Sequence, residues 1–436
     1  MIIIKYYTSF YNIYTPINDN IVIFNTLTRN LISLEKDLYE KIFISNEKSN
    51  NILVDEKNEL YKLDFLIKDK QIEKKRMKYV LQKNKYTKDL FSVFISLTER
   101  CNFECTYCYQ DINNKKEFSY LTKEKWKILY KYLTNTIEKN NVSSMAIVLF
   151  GGEPLLNYEI IPLIIDDLRN LEKNKKLKVY IQLITNGSLL TKERIIYLNK
   201  RIDGIQVTID GNKKSHDKLR LLNDTGSFDI VFNNFVLLTK YFEGEITLRM
   251  NINENNINNA KEFLKYLKKE KINKKISSLS FSPIFSSQKE IRRYGHERKI
   301  NLELESKIAN LYLQAAKFGF KIDKEFVGGP CSVSLDLSFA VDENLNIYSC
   351  PGTFYEVKEG YIDENSNLKI NNSKWYENIS YEPECIENCN YAPICYGGCR
   401  WMGGNNKKGV CKKAYLDKNI QTLIKAYVIS NYPLEV

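Results

Sequence analysis

Between residues 89 and 281 the chain repeats one pattern, a short apolar run followed by an amphipathic stretch. The apolar runs are Phe91–Leu97, Met145–Phe150, Val179–Ile184, Gly204–Asp210, Glu245–Asn251 and Ile276–Phe281. The amphipathic stretches between them are Thr122–Lys139, Glu159–Leu171, Thr191–Asn199, Phe228–Tyr241 and Asn256–Glu270. Thr122 with Glu124, and Thr191 with Glu193, are helix-start signatures. Apolar strands alternating with helices indicate βαβ units and a parallel sheet covered on both faces. Six such units fit an α/β fold. Spacing leaves open whether it is a partial (β/α)6 barrel or a doubly wound sheet.

Cysteine placement narrows the chemistry. Three of the ten cysteines form Cys101-x3-Cys105-x2-Cys108, none occurs from 109 to 330, and seven fall between 331 and 411. The first three follow the strand Phe91–Leu97, at the strand end where α/β barrels carry active-site loops. Three thiolates suit an iron–sulfur cluster with one open iron. A structural zinc site would need a fourth ligand, and the only histidines are His216 and His296. Clustered cysteines without a secretion signal argue for metal ligation over disulfides, in a cytoplasmic protein.

Further candidates end the next strands. Gly151-Gly152-Glu153-Pro154 combines glycines that admit close backbone approach with a carboxylate acceptor. Thr208 and Asp210 share one side of the fourth strand. Arg249 lies within an apolar strand and needs a partner. Arg249 and Arg220 each read as a contact for a bound carboxylate or as half of a structural ion pair.

With an aromatic before its last cysteine, Cys101–Cys108 resembles the radical SAM enzymes. The segments Gly151–Pro154, Thr185-Asn186-Gly187 and Asp210-Gly211…His216-Asp217…Arg220 match that family's motifs in order. The resemblance implies a partial (β/α)6 TIM-like barrel. It implies a [4Fe–4S] cluster on Cys101, Cys105 and Cys108 and an S-adenosyl-L-methionine site at Tyr107, Gly151, Gly152, Glu153, Pro154, Asn186, Thr208 and Asp210, with Arg220 and Arg249 as candidates. The implied chemistry is reductive cleavage of S-adenosylmethionine to a 5′-deoxyadenosyl radical that takes hydrogen from a substrate C–H.

The later cysteines, Cys331-x18-Cys350 and Cys385-x3-Cys389-x5-Cys395-x3-Cys399 with Cys411, resemble the SPASM domain of peptide-modifying radical SAM enzymes. By that family's crossed pattern, one auxiliary [4Fe–4S] cluster takes Cys331, Cys350 and Cys399, and the other takes Cys385, Cys389, Cys395 and Cys411. The match departs at three points. The first gap is long and has Leu345 where glycine is usual. The pair Cys385/Cys389 has one residue too many. No eighth cysteine lies near Cys331, so an iron there could accept a substrate thiolate. A zinc ribbon is the alternative for residues 385–411.

The expected domains are residues 1–88, a small winged-helix-like α+β unit with a linker, 89–318, the radical SAM core, and 319–436, the SPASM domain. In the first, Tyr6–Tyr14 and Ile21–Thr26 read as paired strands around Pro16–Asn20, Ser33 as the cap of a helix Leu34–Ile44, and Glu56–Ile67 as a second helix. Lys68–Lys85 reads as a linker or solvated helix. Glu303–Phe318 and Lys412–Ile429 read as helices, and from Cys331 to Ala414 cysteine, glycine, proline and aromatics interleave without helical period. The unit before the core suits docking of a leader peptide or serves as a cap. The net charge of +12 fits plain solubility or an acidic partner. No recognition motif points to nucleic acid, and no apolar run is long enough to span a membrane.

These readings favour a maturase of a short precursor peptide, forming a thioether or C–C cross-link with electrons from a flavodoxin or ferredoxin. The alternatives are an anaerobic sulfatase-maturating enzyme, weakened by Pro351 where that branch has Asp, and a non-catalytic iron–sulfur scaffold or redox protein.

Overall fold

The computed structural model describes residues 5–44, 54–110, 119–285, 301–324, 326, 331, 334–354, 358–371, 383–399, 402 and 409–432. His296 and parts of the cysteine-rich segment lie outside these residues.

The chain opens with β1 (Tyr7–Thr8) and a meander of β2 (Asn12–Ile17), β3 (Asn20–Asn25) and β4 (Leu31–Glu35). The turn between β2 and β3 is tighter than the sequence suggests, with Asn18 in the left-handed region at φ 52°. Ser33 is not a helix cap. It lies in β4, paired with Val22. The helix begins two residues later, as α1 (Lys36–Tyr39), and widens into a π-helical turn at Glu40–Ile44. The second helix, α2 (Val54–Lys62), also stops early, because Leu66–Ile67 form β5 against β1. The lysine-rich stretch is a true helix, α3 (Lys70–Lys85), capped by Asp69, which accepts from the backbone of Gln71 and Ile72. It buries Met77 and Leu81 against Tyr11, Leu27, Ala392 and Tyr396, which anchors it to the cysteine-rich segment.

The core follows the expected alternation. Its strands and helices run β6 (Leu90–Ser96), β7 (Glu104–Cys105), α4 (Lys123–Asn140), β8 (Ser144–Phe150), α5 (Ile161–Lys175), β9 (Lys178–Thr185), α6 (Lys192–Leu198) and β10 (Gly204–Thr208). Then come α7 (Lys213–Leu219), β11 (Arg220–Leu222), β12 (Thr225–Gly226), α8 (Phe228–Tyr241), β13 (Glu245–Ile252), α9 (Ile257–Lys269) and β14 (Ser278–Pro283). Six strands are parallel, in the order β14-β13-β10-β9-β8-β6. Phe91, Val93, Ile95, Ile147, Leu149, Ile181 and Leu183 are fully buried and share one face of the sheet, while the residues alternating with them are mostly only partly buried. All six strands end on the same side.

The sheet does not stop at residue 318. After α10 (Leu302–Lys317), β15 (Ser338–Val341) joins β6 as a seventh parallel strand. Then β16 (Asn346–Tyr348), β17 (Gly360–Ile362) and β18 (Leu368–Ile370) extend it as antiparallel hairpins. The segment without helical period thus contributes four strands. Two short helices, α11 (Pro383–Asn388) and α12 (Ala392–Cys395), carry cysteines, and α13 (Lys413–Asn431) packs its Leu416, Ile420 and Leu423 face into the core beside α10.

Candidate functional site

The three-cysteine loop is held at the C-terminal ends of the parallel strands by backbone pairing. β7 pairs with β11, setting Cys105 opposite Arg220, and the Thr106 amide donates to the Leu219 carbonyl at 3.0 Å. The Phe103 amide points at Cys101 Sγ at 3.4 Å. Cys101 and Cys105 pack against the apolar core. Burial pushes the Cys101 thiol up to about 12, and the Glu153 carboxylate adds to the shift. Burial also raises Cys105, while the Arg220 guanidinium opposes it.

Gly151–Glu153 lies directly on this loop's stem. Gly151 has φ 145°, and a Cβ on Gly152 would come within 2.4 Å of the Arg100 carbonyl oxygen. The Gly152 amide donates to Thr98 O and the Glu153 amide to Arg100 O, both at 2.9 Å. Glycine is therefore required here for one loop to lie on another. Glu153 is fully buried and ties two strand ends together. Its Oε1 accepts from Leu155 N at 3.0 Å and Thr185 Oγ1 at 2.7 Å, and its Oε2 from Asn186 N at 2.8 Å. Burial raises its pKa, and these hydrogen bonds oppose the rise. A carboxylate has about four acceptor positions, so one further donor can be taken.

Asn186 reaches back to the cysteine loop. Its Nδ2 donates to Asn102 Oδ1 at 2.8 Å and lies 3.9 Å from Cys101 Sγ, while Asn102 Nδ2 donates to Ser188 Oγ at 3.0 Å. Asn102 and Ser188 were not singled out from the sequence, although Asn102 lies between two candidate ligands.

A second network surrounds Tyr107. Its hydroxyl donates to Asp210 Oδ2 and accepts from an Arg220 guanidinium nitrogen at 2.6 Å and Asn251 Nδ2 at 3.0 Å. Asp210 Oδ1 accepts from the Asn251 amide at 2.7 Å. Arg220 and Asp210 form a buried ion pair at 3.8 Å. Arg220 thus has the intramolecular partner that the ion-pair reading requires, yet its Nε is buried without a hydrogen-bond partner. Arg249 differs. Its contacts are Asn251 Oδ1 at 3.2 Å and Ser280 Oγ at 3.5 Å, and among the described residues no carboxylate lies within ion-pair distance. Thr208 is buried beside it in register.

His216 fixes this network from behind. Its Nδ1 accepts from the Asp210 amide, and its Nε2 faces Ser227 Oγ at 3.0 Å; Ser227 gives its own hydrogen to Arg220 O. The ring is therefore neutral with the proton on Nε2. Burial, together with the Arg220 charge, lowers its pKa to about 2.

The C-terminal cysteines fall into two neighbourhoods. Cys350 has Cys331 and Cys399 as charged neighbours, and its thiol is pushed up to about 12 mainly by burial. Cys395 has Cys389 and Cys411 as neighbours. All ten cysteines are free thiols. Tyr109 stands between the first and second groups: it neighbours both Cys108 and Cys350, and its hydroxyl donates to Pro351 O at 3.3 Å. Only its place next to Cys108 sets Tyr109 apart in the sequence.

The donor set fits an iron–sulfur cluster. Cys101, Cys105 and Cys108 supply soft sulfur ligands on one loop, and Arg220 places a buried positive charge beside them. Among the described residues no three His, Cys, Asp or Glu side chains are grouped to hold a single metal ion.

A parallel α/β sheet with this loop across its strand ends is the architecture of a radical SAM domain, and the model of the Radical SAM superfamily matches residues 95–267. Proteins carrying that domain use a [4Fe–4S] cluster and S-adenosylmethionine. The chain is 27% identical over 203 residues to the radical SAM cyclopropyl synthase TigE of Paramaledivibacter caminithermalis, a match covering 43% of this chain and 41% of that protein. It is 26% identical over 169 residues to a GTP 3′,8-cyclase of Clostridium perfringens, covering 39% of this chain and 48% of that one. The chain thus spans under half the length of these relatives. Among solved structures, anSMEcpe with bound AdoMet and the Kp18Cys peptide aligns at TM-score 0.60 and 20% identity, over 78% of this chain and 97% of that one. SuiB of Streptococcus suis bound to the precursor peptide SuiA aligns at TM-score 0.51 and 13% identity, over 93% and 98%. At these identities the two structures establish the shared fold. No described helix is long and apolar enough to cross a membrane.

Proposed function

We propose that this chain is a radical SAM peptide maturase that forms a thioether or C–C cross-link in a short precursor peptide. The observation that carries the reading is the placement of the cysteines: one trio lies on the loop at the mouth of the sheet, Cys331 and Cys399 neighbour Cys350, and Tyr109 borders both Cys108 and Cys350. The folds of SuiB, bound to a precursor peptide, and of anSMEcpe, bound to a cysteine-containing peptide, support a peptide substrate.

In this reading Cys101, Cys105 and Cys108 hold the radical-generating cluster, and the two later groups hold auxiliary clusters. A cluster on the first trio supplies the electron that cleaves S-adenosylmethionine to the hydrogen-abstracting radical. The protein's part is positioning. Gly151 and Gly152 bring backbone carbonyls close to the methionyl end, and Asp210 and Thr208 accept from its amino or ribose groups. Arg249 takes the carboxylate, because Arg220 is already paired with Asp210. Cys331, Cys350 and Cys399 would hold an auxiliary cluster with three protein thiolates, which would leave room for a substrate cysteine and would favour the thioether. One substrate hydrogen leaves with 5′-deoxyadenosine; the thiol proton and one electron leave as the S–C bond closes. The N-terminal unit docks the leader, and a flavodoxin or ferredoxin supplies electrons in the cytoplasm, whose reducing poise keeps cysteines out of disulfides and open to cluster ligation.

Anaerobic co-expression with the peptide encoded beside the gene, followed by mass spectrometry, tests this. The expected result is a loss of about 2 Da per cross-link, from two hydrogens, with 5′-deoxyadenosine formed in step. An unchanged peptide with intact clusters would overturn it. Formylglycine in place of a cysteine would favour the sulfatase-maturating reaction, for which the position after Cys350 lacks an acid.

A further inference from the structure

Helix α3 has two faces with different roles. The inner one, Met77 and Leu81, packs with Cys389 and Tyr396. Asn84 Nδ2 donates to the Tyr396 hydroxyl at 2.8 Å, and Lys78 pairs with Glu387 of α11. The outer face carries Ile72 and Tyr79 and continues into Tyr86, the residue that caps the helix C-terminus; they are 62%, 63% and 56% exposed. Seven-residue spacing is nearly two helical turns, so these three side chains form one ridge of about 21 Å. Lys75 and Lys83 lie exposed along it. The whole helix carries six lysines and one arginine against a single glutamate, Glu73, which is buried. A face that only needs solvation has no use for three aligned large apolar side chains. Aromatic residues flanked by basic ones are the composition of a docking surface for an acidic protein.

We propose that the outer face of α3 docks a small acidic electron carrier, which exchanges electrons through the cysteine group Cys385, Cys389, Cys395 and Cys411 behind the helix. The electron step rests on those cysteines holding a cluster; the docking surface does not. One electron passes per encounter, the carrier being oxidised as the cluster is reduced, or the reverse.

The test uses the full chain with its clusters reconstituted, and a flavodoxin as the acidic carrier. Affinity is measured by biolayer interferometry at low and moderate salt. Lys75→Glu/Lys83→Glu should weaken binding by on the order of tenfold at low salt, and less at higher salt. Tyr79→Ala/Tyr86→Ala should weaken it at both. Lys265→Glu/Lys269→Glu on α9 changes the net charge equally and should leave affinity within about twofold. Equal loss in the α9 pair, or none in the α3 pairs, overturns the docking surface. So does loss of self-association or of leader-peptide affinity in the α3 variants with flavodoxin binding intact. Iron content reports separately on the clusters. A chain that binds flavodoxin through α3 but holds no iron at Cys385–Cys411 refutes the electron route and leaves the docking surface established.

Discussion

Glu153→Gln is a small change with a calculable cost. The wild-type carboxylate accepts two donors on Oε1 and one on Oε2, all from buried groups. A glutamine keeps one oxygen. Placing it toward Leu155 N and Thr185 Oγ1 satisfies two donors and turns the new amide against the Asn186 N–H, two donors 2.8 Å apart in the parent geometry. A buried amide left without its acceptor costs about 1–3 kcal/mol. Removing a desolvated charge returns part of that, since burial already raises the Glu153 pKa. A net loss of about 1–2 kcal/mol remains, lowering Tm by on the order of 1–2 °C for a chain of this size. The damage should be local. Hydrogen–deuterium exchange should accelerate at the Asn186 amide, the residue that reaches Cys101, while α9 amides exchange as before. Unchanged exchange at Asn186 together with an unchanged Tm would refute the latch.

Three further outcomes follow from the same site. Gly152→Ala sets a methyl 2.4 Å from the Arg100 carbonyl oxygen, so the cysteine-loop stem must move, at about 1–3 kcal/mol; S-adenosylmethionine affinity by equilibrium dialysis should fall at least tenfold. Tyr107→Phe strands Asn251 Nδ2 and one Arg220 nitrogen and should cost about 1–3 kcal/mol in urea unfolding. His216 is held neutral in the fold, so protons favour the unfolded chain below the unfolded pKa, near 6.5; stability is full above that pH and falls by about 1.4 kcal/mol per unit as the pH drops toward the folded value. The His216→Gln variant should show a shallower loss between pH 6.5 and 5 in denaturant titrations.

The parallel strands were legible because short apolar runs of strand length recur between amphipathic stretches of helix length. The site was legible because its chemistry sits in short motifs at strand ends. Elements set by pairing rather than by pattern were harder. Ser33 looks like a cap until Val22 is seen to pair with it. The strands β15 to β18 have only three or four residues each, too few to show alternation. A signal did exist in Asp342-Glu343-Asn344-Leu345-Asn346, which repeats as Asp363-Glu364-Asn365-Ser366-Asn367. In both, the aspartate accepts from the amides two and four residues on, and the fourth residue has positive φ, 64° at Leu345 and 66° at Ser366. Leu345 stands where the resembled family has glycine. The left-handed backbone costs it roughly 1–2 kcal/mol, and burying its side chain returns about 1.5–3 kcal/mol, so leucine is tolerated there.

The seventh parallel strand changes what can be exchanged between proteins of this architecture. Because β15 covers the outer edge of β6, the strand leading to the cysteine loop is central only while residues 338–341 are present. A chain cut after Phe318 would leave the backbone of β6 unpaired on that side, beside Phe91, Val93 and Ile95, an apolar edge of the kind that recruits other strands. Such a truncation should aggregate rather than yield a free-standing catalytic core. A graft that replaces the cysteine-rich arm must bring its own β15, so this strand is inherited with the arm and acts as part of the barrel it leaves.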